Sequence, residues 1–537
     1  MTMLKLPIDL QSFEIIRREK YLYVDKTPYI HQMLHHGRYF FMARPRRFGK
    51  TLMVSTLSRL FAGNRELFHD LWIDKHGDWS WETFPVLIFD FNTIPRDTPD
   101  IFRTALARRL MALAETQELE LREPLLGQRF EELILSLYRK TGRPVVILID
   151  EYDKPIIDHL GKGAAALEIA KANRDILKSF FGTLKGAEVA SHTRFVFITG
   201  VSKFSRVSIF SDLNNLIDIT MDERYAAMLG YTEDELEADF KGYIDRLCER
   251  MDLPLSHVSD RLRSHYDGYR FSEADVCVYN PFSVLRALDV GKFGNFWFET
   301  GTPTFLVNLL RERNYPLPEM ESMEVVKSIF SAYDLDYLSV EALLLQTGYL
   351  TIKGVDKDEV MWRLGYPNME VKSAFLKHLL YSFTEGQPGS EQSRFMRLSG
   401  YLKSENLNAF FETINAIFAS IPYTLKGKPN EAWFHTLFYL MVSASGAHAQ
   451  SEVLTSQGRI DLVAQFPDKI WIMEFKCRQS AEAGLRQIHE NGYAEPYKGL
   501  NRKLLLLGIG FDPKKRMVSD WKLETFESNP NQFHLCQ

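Results

Sequence analysis

Cysteine is scarce in these 537 residues: Cys248, Cys277, Cys477 and Cys536 are the only four. They lie far apart with no CxxC spacing, which excludes a disulfide framework and a cysteine-based zinc site and fits a reducing compartment. Long apolar runs are missing too. No window approaches the roughly eighteen uninterrupted apolar residues of a membrane span, and residues 1–20 carry no long apolar core of the signal-peptide kind. A cytoplasmic chain without a membrane partner is expected. An excess of positive charge is also absent, since 65 Lys and Arg against 70 Asp and Glu leave a net charge of −5, so a nucleic-acid surface would have to be local. Neither an internal repeat nor a low-complexity tract stands out, which excludes solenoids and long disordered tails. What remains is an ordinary globular composition, 45% apolar and 25% charged, in a chain too long for one core.

One stretch organises the N-terminal half. Ala43-Arg44-Pro45-Arg46-Arg47-Phe48-Gly49-Lys50-Thr51 separates an apolar run, Tyr39 to Met42, from an amphipathic one, Met53 to Phe61. Strand, loop and helix start in that order form the layout of a phosphate-binding loop. Backbone N–H groups at the helix N-terminus cradle phosphates, a lysine neutralises charge and a hydroxyl holds Mg²⁺. Gly49, Lys50 and Thr51 fill the last three positions, but Arg44 stands where the motif's first glycine belongs.

Further strands follow at Pro85–Phe91, Pro144–Ile149 and Arg194–Gly200, with helices expected over Ile101–Thr116 and Phe130–Tyr138. The unbroken run Val145 to Ile149 suits a parallel sheet covered on both faces. It ends in Asp150 and Glu151, at the strand end where ligands bind in open α/β sheets. Asp150 is placed to hold Mg²⁺ through water and Glu151 to polarise an attacking water. Thr199, ending the next strand, either senses a γ-phosphate or caps the strand. Strands alternating with helices, with one between the loop and the acidic pair, point to the ATPase-type sheet with an additional central strand.

Arg44 to Thr51, Ile149 to Pro155, Phe197 to Ser205, Tyr266 to Phe271 and Phe296 to Gly301 together resemble the bacterial AAA-ATPase-like family. The resemblance implies ATP and Mg²⁺, with Arg47, Phe48, Gly49, Lys50, Thr51, Asp150 and Thr199 around the nucleotide. It also implies a P-loop that commonly lacks its first glycine, and a nuclease-like domain towards the C-terminus. No arginine finger is identifiable, so assembly into a homo-oligomer is left open.

Helices at Thr232–Met251 and Val258–Tyr266 suit a lid, and Tyr279-Asn280-Pro281 breaks the chain before another at Ser283–Leu288. Leu335 to Phe383 reads helix, strand, turn, strand, helix, the order of a winged-helix-like module. Without a strongly basic recognition helix it is read as a connector. Glu385 to Ser393 is polar and rich in chain breakers, the best linker in the sequence.

Beyond it come helices at about Arg397–Ala419 and Asn430–Ser445, then strands at Ser451–Thr455, Arg459–Phe466 and Lys469–Lys476. Pro467-Asp468 makes the last two a hairpin whose register sets Asp461 opposite Glu474, with Lys476 on the same side. Facing carboxylates repel unless a divalent cation takes oxygens from both. Lys476 can then orient a water or stabilise charge at an attacked phosphate.

The order Glu431, Gly458-Arg459-Ile460-Asp461, Glu474-Phe475-Lys476 and a further helix resembles the PD-(D/E)XK nuclease fold, although Ile460 stands where the motif's proline belongs. The resemblance implies Asp461, Glu474 and Lys476 as catalytic residues, Glu431 as an additional acid near the metal, and Gln487 as an accessory; Tyr493 matches a tyrosine the family keeps. Leu504 to Ile509 would close the sheet. Lys514, Lys515 and Arg516 follow it as a surface charge run.

The expected fold class is α/β: a P-loop ATPase domain with a parallel sheet over 1–220, a helical lid over 221–300, a winged-helix-like connector over 301–384 and an α/β PD-(D/E)XK nuclease-like domain over 394–537. The expected function is ATP-controlled, Mg²⁺-dependent phosphodiester hydrolysis, with Mn²⁺ as an alternative ion and DNA favoured over RNA. The alternative is an ATP-driven switch or scaffold whose nuclease-like domain only binds nucleic acid or a partner protein.

Overall fold

Val145-Val146-Ile147-Leu148-Ile149 has no polar side chain to keep wet, and every one of these residues is buried. In the computed structural model this run is an inner strand of a five-stranded sheet. The structure describes residues 3–526, apart from 204–208, 211–212, 214, 300–305, 308, 311–314, 316, 331–338, 357, 359, 385–391 and 421–429. It forms two compact units, one of Met1–Leu309 with Glu324–Val371 and the other of Leu310–Met323 with Lys372–Gln537. The expected linker falls on 385–391, outside the described residues, and a helix starts at Gln392. Among the described residues no helix is long and apolar enough to cross a membrane.

In the first unit, α1 (Thr27–His36) leads into β1 (Tyr39–Ala43), and α2 (Lys50–Phe61) follows the loop. The sheet continues with β2 (Val86–Asp90), β3 (Val145–Asp150), β4 (Thr193–Gly200) and the short β5 (Ile217–Asp218). Its order is β2-β3-β4-β1-β5, and every resolved pair is parallel. The additional central strand is thus β4, between the strand of the loop and the strand of the acids, whereas β2 lies at the edge. Helices Pro99–Thr116 and Leu126–Thr141 form as expected. The buried stripe of the former starts at Phe102, since Ile101 is exposed.

Helices Glu233–Met251, Leu255–Tyr266 and Pro281–Val290 share one apolar core with Leu6, Leu22 and Val24. Thr232 and Glu235 make a reciprocal capping box at the first of them. Pro281 does not break the chain there: it opens its helix, with Asn280 as the cap. Val340–Thr347, Thr351–Val355, Met361–Gly365 and Met369–Thr384 follow in the expected order, the two strands pairing antiparallel.

The second unit has α3 (Glu431–Ala444), β6 (His448–Thr455), β7 (Gly458–Gln465), β8 (Lys469–Cys477), α4 (Ala481–Glu490), β9 (Lys503–Asp512) and β10 (Met517–Phe526). The strands lie in chain order; β8 and β9 are parallel and the other pairs antiparallel. The run Leu504 to Ile509 is therefore interior and β10 closes the sheet, with Lys514, Lys515 and Arg516 in the turn between them. The expected single helix over 397–419 is two, Gln392–Lys403 and Leu407–Ser420, because Glu405 adopts a left-handed φ of 59°. Phe434, Phe438, Phe475 and Phe511 pack α3 onto the sheet. Leu485 and Ile488 of α4 pack with Ile460, Val463 and Ile472.

Candidate functional sites

Gly49 caps α2 in the left-handed conformation, φ 92°, with open space where a Cβ would project. The first-turn N–H groups that follow have no intrahelical partners. Lys50 folds back to donate to the carbonyls of Arg44 at 3.0 Å and Pro45 at 2.9 Å. Burial pushes its ammonium pKa down, against the attraction of Glu151 and Asp150. These carbonyls hold the amine inside the loop. Beside Gly49 and Leu52, an open cleft is bounded by Pro7, Val24, Met228 and Tyr231.

Arg44 does not face this loop. It is 1% exposed, donates to Thr220 O at 2.5 Å, Ala43 O at 3.0 Å and Tyr225 O at 3.3 Å, and lies 4.2 Å over the Phe271 ring. Burial lowers its pKa to about 9. The residue in the glycine's place is a core strut. Arg47 is held by Asp9 at 2.8 Å and stacks on Phe282. The Phe48 ring is buried against Tyr269 and Phe271, so these two residues can offer the loop their backbone.

The Thr51 hydroxyl donates to Asp150 Oδ2 at 2.6 Å, which joins the loop to the end of β3. Burial raises Asp150 to about 6, although Thr51 and Lys50 pull the other way. Glu151 follows in a left-handed conformation, φ 51°. The Thr199 hydroxyl donates to Met42 O at 2.9 Å, across the β4–β1 pair. Asp153, outside the expected site set, lies just beyond the acidic pair. It is fully buried and accepts from Val201 N at 3.0 Å, Ser202 N at 2.7 Å and Ser202 Oγ at 2.7 Å. A Cβ on Gly200 would come within 2.6 Å of it. Only glycine lets the end of β4 approach this carboxylate.

In the second unit the β7–β8 hairpin has the expected register, Leu462 opposite Met473 through Gln465 opposite Ile470. The bonded ladder stops one pair short of Asp461 and Glu474. There the Phe475 N–H donates instead to Asp461 Oδ2 at 2.7 Å. On the other side, the pairs Ser451–Leu462 and Val453–Ile460 bracket Glu452 and Asp461, with Glu452 at a left-handed φ of 56°. Three acids thus stand level across β6, β7 and β8, where the ladder opens.

Glu474 is 1% exposed and its Oε2 is buried without a hydrogen-bond partner. Burial first, then Asp461, push it up to about 8, although Lys476 lies 3.2 Å from Oε1. Lys476 also donates to Phe475 O at 3.0 Å. Burial likewise raises Asp461, against His435 and the Phe475 N–H. His435 and Glu452, absent from the expected set, complete the cluster. His435 Nδ1 is 3.0 Å from Glu452 Oε1, and its Nε2 is 2.8 Å from Asp461 O. Burial alone would lower the His435 pKa, but Glu452 and Asp461 together raise it. Ligand atoms of His435, Glu452 and Asp461 lie within 4.8 Å of one another. Applying the register of the preceding hairpin, Thr455 opposite Gly458, would have found Glu452. His435, one helical turn beyond Glu431, had no such signal.

Glu431 is exposed in the first turn of α3 and accepts from Cys477 N at 3.2 Å. Gln487 lies 3.5 Å from the Tyr493 hydroxyl, which donates to Arg459 O at 3.0 Å. A Cβ at Gly508 would meet Ala481 O at 2.0 Å, and one at Gly484 would meet Glu474 O at 3.0 Å. Two glycines therefore seat α4 directly on β8 and β9. An oxygen-rich donor set with a buried carboxylate oxygen lacking a proton donor fits a hard divalent cation.

A nucleotide-type loop on a β2-β3-β4-β1-β5 sheet, with a separate acid–acid–lysine sheet, defines a class: an AAA-ATPase-like domain joined to a PD-(D/E)XK nuclease-like domain. Residues 7–210 match the family model described as predicted AAA-ATPase, and residues 429–521 match that of the PD-(D/E)XK nuclease superfamily. The chain belongs to the family that combines these two domains. It is 37% identical over 531 residues to a protein of Azotobacter chroococcum mcd 1, named "Uncharacterized protein in vnfD 5'region"; the match spans 97% of this chain and 99% of that one.

Proposed function

We propose that the chain is an ATP-dependent nuclease of the cytoplasm, in which nucleotide state in the N-terminal unit controls divalent-cation-dependent hydrolysis of DNA by the C-terminal unit. The observation that carries this reading is Glu474, a buried carboxylate beside a second one, with one oxygen unpaired and its pKa pushed to about 8. Such a group is costly as an anion until a cation reaches it.

In the N-terminal unit, Lys50 exchanges the Arg44 and Pro45 carbonyls for phosphate oxygens. The cleft beside Gly49 and Leu52 takes the base, and helices of 233–290 act as the lid. Thr51 and Asp150 would hold Mg²⁺, while Glu151 orients the water. In the C-terminal unit, Asp461 and Glu474 would hold Mg²⁺ or Mn²⁺, which supplies charge neutralisation and an acidified water when bound. Glu474 gives up its proton as the site fills. Lys476 orients the attacking water, and His435 fixes the Asp461 backbone from below.

The test is cleavage of labelled single- and double-stranded DNA and RNA with Mg²⁺ or Mn²⁺, with and without ATP, by wild type, Asp461→Ala and Lys50→Ala. Cleavage of DNA lost in the first variant and altered in the second supports the reading. ATP turnover with no cleavage of any substrate would replace it with an ATP-driven switch.

A further inference from the structure

His31 and His35 are one turn apart on α1, so their imidazoles share a face, with ring centroids 4.3 Å apart. The segment after the short helix Trp72–Lys75 brings Asp78 to them. Its Oδ1 lies 2.8 Å from His31 Nε2 and 3.2 Å from His35 Nε2. These two residues and one carboxylate place their ligand atoms within 4.8 Å of one another. The edge of the Trp72 ring rests against His31, with centroids 5.2 Å apart.

The tautomer of His35 is fixed by a second contact. Its Nδ1 is 2.9 Å from the backbone oxygen of His31, and a carbonyl only accepts, so Nδ1 carries a hydrogen. In a neutral imidazole the Nε2 lone pair then aims at the Asp78 carboxylate. Two acceptors at 3.2 Å repel unless a proton or a metal ion lies between them. An Nδ1–H bond to a backbone carbonyl is also how metal-ligating histidines are oriented.

We propose that His31, His35 and Asp78 form a site for a divalent transition ion of the Zn²⁺ class. Two imidazole nitrogens and one carboxylate suit such an ion, whereas Mg²⁺ takes oxygens. The exposure of His35 and Asp78 leaves a further coordination position facing solvent. The ion clips the helix that leads into β1 to the chain that leads into β2, and the site is independent of both the nucleotide and the nuclease reading.

The test uses full-length protein carrying Asp461→Ala and Glu474→Ala, so that the C-terminal cluster does not compete, after stripping with EDTA. Co²⁺ is followed by its visible absorption, and Zn²⁺ by competition with a chromophoric chelator. The expected result is one bound equivalent, and a rise in thermal midpoint with Zn²⁺. Adding His31→Ala and His35→Ala should weaken Zn²⁺ binding at least about tenfold and abolish the rise. Asp78→Asn should weaken it less. Equal Zn²⁺ binding and equal midpoints with and without the two histidines would overturn the proposal and leave a histidine–aspartate ion pair only. His35 and Asp78 are exposed and His31 is partly buried, so circular dichroism of the variants should match the parent; if it does not, His35→Gln replaces the pair.

Discussion

Replacing Arg44 by glycine restores the missing position of the phosphate-binding motif, and the structure predicts that it harms the protein. Burial lowers the Arg44 pKa from the ordinary guanidinium value to about 9. At about 1.4 kcal/mol per pH unit, holding the cation inside costs about 4–5 kcal/mol. Against this stand hydrogen bonds to Thr220 O, Ala43 O and Tyr225 O, each contributing about 1.5–3 kcal/mol from a charged donor. Packing over Phe271 adds about 1–2 kcal/mol. The Nε proton is buried without a partner, which costs about 1–3 kcal/mol more, so the two sides nearly balance. Glycine removes both sides together, but it also leaves buried carbonyls without donors and a void where the stem lay, and it frees the unfolded backbone. The expected net loss is about 2–4 kcal/mol. The assay is urea denaturation, following the transition that moves when nucleotide is added, because a two-unit chain need not unfold in one step. Arg44→Lys should fall between wild type and glycine, keeping the charge but losing the fork. A glycine variant within about 0.5 kcal/mol of wild type, or one that binds ATP more tightly, would refute the strut.

Lys203 and Asp218 pair at 3.0 Å with both side chains 10% exposed. Burial would raise Asp218, but Lys203 and Thr220 hold it below the ordinary carboxylate value of 3.8. Its contribution is therefore present above that value and lost as pH falls through the depressed one. Asp218→Asn should cost about 3 kcal/mol and flatten the acid limb of a stability–pH curve. Gly508→Ala drives a methyl into Ala481 O, so it should lower the thermal midpoint of the C-terminal unit, while an alanine at Gly499, where a Cβ meets nothing, should not. Glu474→Gln should abolish cleavage and Mn²⁺ binding by calorimetry, yet leave the metal-free unit more stable at pH 8, because the buried charge is gone. His435→Ala should slow cleavage about tenfold to a hundredfold and raise the Mn²⁺ concentration for half-maximal rate; an unchanged Mn²⁺ dependence would dismiss its positioning role.

Most of the second site could be read from the chain because a two-residue turn fixes a hairpin's register. Pro467-Asp468 sufficed to set Asp461 level with Glu474, and the same logic on Thr455 and Gly458 yields Glu452. His435 was illegible because it arrives from a helix, and no local rule says which helical face meets which strand. The sheet of the first unit was legible as a set of apolar runs ending in polar residues. Its order was not, since parallel neighbours are chosen by crossovers of thirty residues or so, and the central place went to Thr193–Gly200. Arg44 stands in the sequence only as the residue in the place of the motif's first glycine; its partners at Thr220 and Tyr225, far along the chain, turn it inward.

Asp153 rivets the end of β3 to the chain leaving β4. Three bonds to one buried carboxylate leave no slack between the segment that carries Asp150 and Glu151 and the segment that continues to Lys203. The end of β3 that carries Asp150 and Glu151 is therefore tied directly to the chain that leaves β4. The same segment runs on to Lys203, whose ion pair with Asp218 reaches β5 at the edge of the sheet. A methyl group at position 200 would come within 2.6 Å of both the Asp153 carboxylate and the Tyr152 ring, so a single added carbon would prise the two strand ends apart.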